Sequence, residues 1–172
     1  MRKKTKLIAK HKEKLMIIGL IGGILAIAGV FAPWVIMSGS TTSDNQTVSI
    51  SSSQSGWDLA KGRVTIITEV NGQSVMRTIR GEGKDYPYVA LAGGVFVLVG
   101  ALGLLVFPGV PKKTLLLAIG GILAIIGAGW GFSGIETGTV LVATVNYGYG
   151  LYLCLIGGVL GLLGALGLKR KR

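Results

Sequence analysis

One cysteine, one histidine and seven acidic side chains are all that 172 residues offer to the chemistry most enzymes use. The lone Cys154 excludes an intrachain disulfide, and among apolar neighbours it reads as a small buried hydrophobe. The lone His11 stands in a basic tail, so neither a Ser-His-Asp nor a Cys-His pair can be assembled, and no His-rich metal site exists. Catalysis would rest on carboxylates. Asp58, Asp85 and Glu136 are the candidates for that or for cation binding, and solvated acids of this kind are commoner than either. A G-x-G-x-x-G spacing at Gly129, Gly131 and Gly134 closes an apolar run instead of following a strand and opening a helix, which argues against a dinucleotide site. The expectation is no enzyme, no cofactor and no metal.

Charge is also missing from long runs. No Asp, Glu, Lys, Arg or His interrupts Leu15 to Met37, Tyr86 to Pro111, Leu115 to Phe132 or Leu151 to Leu168. About twenty apolar residues at 1.5 Å rise cross a hydrocarbon core roughly 30 Å thick. The chain therefore reads as an all-α transmembrane four-helix bundle with a small extracellular β-sheet formed by the first outer loop. The spans are placed at 15–37, 86–107, 114–132 and 150–168, and the outer loops at 38–85 and 133–149. Inside lie the tails 1–14 and 169–172 and the short loop 108–113. A cleaved signal peptide is the rival for the first run, but that run exceeds the roughly 7 to 15 residues of an h-region and continues past Pro33.

What charge exists is lopsided, with 18 Lys and Arg and a formal net charge of +11. The basic residues of the first fourteen positions, Lys112 and Lys113, and the terminal "KRKR" all flank spans on one side, which predicts a cell-membrane protein with both termini cytoplasmic. Such clusters set topology and attract anionic lipid headgroups, so the lipid bilayer is the expected partner there and nucleic acid is not. Between Ser38 and Asp85, five basic residues (Lys61, Arg63, Arg77, Arg80, Lys84) balance five acidic ones.

Glycine is abundant, at 29 residues. "IGGILAI" occurs at Ile21 to Ile27 and again at Ile119 to Ile125, and "GGVFVLVGALGLL" from Gly93 aligns on "GGVLGLLGALGLK" from Gly157. One helical hairpin has been written twice, a parallel internal repeat. Each span carries a pair: Gly22 and Gly23, Gly93 and Gly94, Gly120 and Gly121, Gly157 and Gly158. Small residues four apart around them let helix backbones approach closely, within one chain or between subunits.

In the first outer loop "VTIITEV" and "QSVMRTIR" flank Asn71-Gly72, a hairpin signal, and "QTVSIS" offers a third strand. The tracts "SGSTTSDNQ" and "SSSQS" read as irregular, and Asn45-Gln46-Thr47 is an N-glycosylation triplet. Trp34, Trp57 and Trp130, with five tyrosines, fall near outer helix ends or in outer loops, as an interfacial belt does, but Trp57 is far from any span and would have to fold back onto the bundle or onto the sheet. Trp34 and Trp57 are candidates for packing the loop or contacting a ligand. With Trp34 after the first helix and Gly56-Trp57 in the loop, the plan resembles the claudin-type tetraspan proteins, although the family's Leu before the second Trp and its two Cys are absent. The resemblance implies lateral assembly and adhesion or barrier formation. The expected function is a non-enzymatic tetraspan whose outer β domain meets a protein partner or another copy; the alternative is a channel or transporter subunit with a pore only in an oligomer.

Overall fold

The structure, a computed structural model, describes residues 2–43, 46–106, 111–140 and 142–169. In chain order the elements are α1 (Arg2–Phe31), β1 (Pro33–Ser43), β2 (Gln46–Ser55), α2 (Gly56–Ala60), β3 (Arg63–Val70), β4 (Gln73–Arg80), α3 (Tyr86–Val106), α4 (Pro111–Gly134), β5 (Gly138–Val140), β6 (Ala143–Tyr147) and α5 (Tyr149–Lys169). Asn45 lies outside the described residues.

Four helices are long and apolar enough to cross a membrane: Glu13–Phe31, Tyr86–Val106, Lys113–Gly134 and Tyr149–Gly167. They pack in the cyclic order α1, α3, α4, α5, each antiparallel to its neighbours. Small residues make the seams. A methyl group at Gly157 would lie 2.5 Å from Ala26 N and from Gly22 O, and one at Gly120 would lie 2.5 Å from Val97 N and 2.7 Å from Gly93 O. Backbone contact of this kind is available only where no side chain intervenes. The two halves correspond: Gly23 abuts Leu98 as Gly121 abuts Leu162, and Gly94 meets Ile27 as Gly158 meets Ile125. Large apolar side chains point the other way, with Ile24, Val99, Ile122 and Leu163 each about half exposed.

All six strands form a single antiparallel sheet in the order β4-β3-β2-β1-β6-β5. This overturns the expectation of an all-α bundle with a small sheet from the first loop alone. Helix makes up about 60% and strand about 30% of the chain, and the segment between α4 and α5 contributes β5 and β6. β1 begins at Pro33, so the residues to Met37 assigned to the first span belong to the sheet. Proline has no N–H to continue a helix ladder, and the Trp-Val-Ile that follows suits a pleated surface. The "SGSTTS" part, read as irregular, is the rest of β1: ladder bonds come from the backbone, and β1 is flanked by β2 on one side and β6 on the other.

Register sorts the two faces of the sheet. One carries Val35, Met37, Ile50, Val64, Ile66, Val75 and Ile79; the other carries a hydroxyl row, Thr139, Thr144, Ser38 and Ser51, that runs on into Ile67 and Met76. The apolar face is the one that meets the helices. Val30, Ala128, Leu151 and Cys154 of the helices share a core with Trp34 and Val35, and Val145 and Tyr147 pack against it.

Candidate functional site

The junction between helices and sheet is built around Trp34, which is fully buried. In an α-helix the Gly29 carbonyl would accept from the N–H four residues on, but that residue is Pro33. The indole supplies the missing donor: Trp34 Nε1 donates to Gly29 O at 2.7 Å. Its ring stacks on Tyr86 at 5.9 Å between centroids with 9° between planes, and Tyr86 in turn meets Trp130 at 6.4 Å. Space for the indole exists because Gly56, Gly131 and Gly150 face it without side chains; a methyl group on any of them would come within 3 Å of the ring. Gly148 N donates to Trp34 O at 2.8 Å, tying β6's exit to β1's start. Trp34 therefore joins the sheet to α1, α3, α4 and α5.

A second aromatic group stands beside it. Ser55 and Asp58 form a capping box that starts α2, with Asp58 N donating to Ser55 Oγ at 3.1 Å and Ser55 Oγ to Asp58 Oδ2 at 2.6 Å. That short helix presents Trp57 to Phe31 at 5.7 Å and to Tyr88 at 5.9 Å, and Lys61 Nζ lies 4.7 Å from the Trp57 ring centroid. On the other flank Tyr147 Oη donates to Phe132 O at 2.8 Å, and Phe132 packs edge-on against Tyr147 and Tyr152. The expected belt thus divides in two. Trp130, Tyr88, Tyr149 and Tyr152 are largely exposed at the helix ends, whereas Trp34 and Tyr86 are core.

Away from the junction the sheet runs free. Every residue of β4 is exposed, with Val75 at 67% and Met76 at 68%, and β4 is an edge strand with one side of its backbone unpaired. The turn that makes the hairpin is as read from Asn71-Gly72: φ is 50° at Asn71 and 82° at Gly72.

Trp57, far from any span in the sequence, folds back onto Phe31 and Tyr88 at the helix ends, whereas Trp34 stacks on Tyr86, so the two stand in adjacent but separate aromatic groups. The paired glycines Gly22, Gly23, Gly93, Gly94, Gly120, Gly121, Gly157 and Gly158 all lie on helix seams. Of the G-x-G-x-x-G residues, Gly131 faces Trp34 and Leu151, Gly134 faces Tyr86, and Gly129 has open space. Asp58 caps α2, Asp85 O receives Tyr88 N at 3.0 Å where α3 begins, and Glu136 is exposed. Among the described residues no three His, Cys, Asp or Glu side chains gather into one group. Tyr86 and Tyr147 were read only as belt residues; the β-branched alternation of "ATVNY" was the available signal for the strand that carries Tyr147. No protein-family model matches the chain, and no curated protein is significantly similar to it.

Proposed function

We propose that the chain is a multi-pass protein of the cell membrane, with both termini cytoplasmic, that presents its sheet on the outer side for contact with another protein or a neighbouring cell surface. The observation that carries the contact reading is β4: an edge strand with all eight residues exposed, on a sheet fixed to the helices through Trp34. An unpaired edge with protruding apolar side chains is a template for strand addition, which soluble monomers usually blunt. The membrane reading is supported by the inverted helices, small residues inward and large apolar ones outward. It is also supported by the start of α1, the end of α3, the start of α4 and the end of α5 lying at the helix ends away from the sheet, where the basic residues of the sequence cluster.

On this reading the likeness to claudin-type proteins is one of plan, and lateral assembly or adhesion is the activity it implies. No enzymatic step is proposed. The helix seams, where glycine backbones touch, leave a channel role to an oligomer rather than to one copy.

A photo-crosslinking residue at Met76, activated in intact cells, tests the contact reading. A discrete protein adduct, whether to a second copy or to a fixed partner, supports it. Full exposure of the site to an impermeant label with no protein adduct argues against it.

A further inference from the structure

Three of the five basic residues of the outer segment are gathered in one place. Lys61 follows α2, Arg63 opens β3 and Arg80 closes β4, and these three line an open cleft of about 390 Å³. Arg63 and Arg80 are direct cross-strand partners. Like charges placed opposite each other across a sheet destabilise it unless a counter-charge is near. None is in contact: no ion pair joins any of the three to a carboxylate among the described residues. Asp58 is occupied by Ser55, Glu69 stands at the other end of β3, opposite Ser74, and Glu82 and Asp85, which follow Arg80 in the chain, form no ion pair with the three.

The backbone holds this arrangement in place. Gly81 N donates to Gly62 O at 2.7 Å and Lys84 N to Leu59 O at 3.0 Å, and Gly62 has φ of 61° with Gly81 O where a side chain would be. A residue other than glycine at position 62 would be strained and would push the two strand ends apart. The cleft also has a fixed level. Lys61 sits on Trp57, and Trp57 touches Phe31 at the end of α1 and Tyr88 at the start of α3.

We propose that Lys61, Arg63 and Arg80 form a binding site for a phosphate-bearing group, filled in the membrane by the headgroup of an anionic phospholipid of the outer leaflet. The reading rests on the membrane placement above, because an aromatic cluster at the helix ends puts the cleft at headgroup depth. Two guanidinium groups and an ammonium match the geometry of phosphate oxygens, with Arg63 and Arg80 as bidentate donors and Lys61 as a point charge. The phosphate supplies the counter-charge that the strand pair lacks.

The test uses the full chain and the K61Q/R63Q/R80Q variant in vesicles of phosphatidylcholine containing a minority of phosphatidylglycerol. Flotation establishes insertion, and native mass spectrometry reads the lipid that each protein retains. The expected result is preferential retention of phosphatidylglycerol by the wild type, reduced roughly tenfold or more in the variant, with the basic tails common to both. Equal retention by the two proteins overturns the site. Inorganic phosphate, titrated in neutral detergent and followed by ³¹P line broadening, separates the sources. Broadening that the variant loses, without lipid preference, assigns the same site to soluble phosphate esters. A wild type that fails to float overturns the membrane placement instead, and the phosphate titration then decides the site by itself.

Discussion

Trp34 does three things with one side chain: it gives Gly29 O the donor that Pro33 lacks, fills the space left by Gly56, Gly131 and Gly150, and stacks on Tyr86. Replacing it with alanine should cost about 3–5 kcal/mol, the range for emptying a large aromatic site, read as a fall in the melting temperature of the detergent-extracted protein. Trp34→Phe keeps much of the bulk but strands the carbonyl, and a loss of about 1–3 kcal/mol is expected. Glycines divide just as sharply. Gly120→Ala drives a methyl group to 2.5 Å from Val97 N and should lower the melting temperature strongly, whereas Gly129 has nothing within 4 Å. Gly129→Ala should be neutral or stabilising by up to about 1 kcal/mol through helix propensity. The paired glycines were legible from the sequence because small-residue spacing has one dominant physical meaning in apolar helices. Trp34's role was not, because it depends on a carbonyl five residues back and on three glycines from distant elements.

Among the elements, the β3–β4 hairpin was legible, since two positions needing φ > 0 fall at Asn71-Gly72 between alternating runs. Gly72→Val should disturb that turn while leaving the helices intact, seen as a local rise in amide hydrogen exchange over β3 and β4. The strands β1, β5 and β6 were not legible, and "SSSQS", expected to be irregular, is the second half of β2. Ser and Thr in β1 carry no apolar alternation, and what makes them a strand is pairing with β2 along their whole length, joined over Val35 to Gly39 by Tyr147 to Ala143, more than a hundred residues away in the chain. Gly39 records that pairing, because the β5–β6 turn lies directly over it: a side chain there would meet Val142 O. Gly39→Val should detach β5 and β6 from β1. The expected sign is exchange rising across residues 138–147 with little change in β3 and β4.

At the scale of the whole molecule the four apolar helices and the basic flanks were readable from composition and run length. The second outer loop's union with the first into one sheet was not, because no local pattern says which strands will be neighbours. The consequence is mechanical. β1 continues α1 across one intervening residue, Ala32, β6 leads into α5 through Gly148, and β4 leads into α3, so the sheet is joined to the helices by the chain as well as through Trp34. In the proposed topology this sheet stands outside the cell membrane while both chain ends stand inside. It is tested most directly by single-cysteine labelling with a membrane-impermeant maleimide in a Cys154→Ser background, with Ser74→Cys on the hairpin and Lys171→Cys at the C-terminal tail. The account predicts that Ser74→Cys is labelled in intact cells and Lys171→Cys only after permeabilisation. The reverse pattern, or recovery of the protein in the soluble fraction, contradicts it.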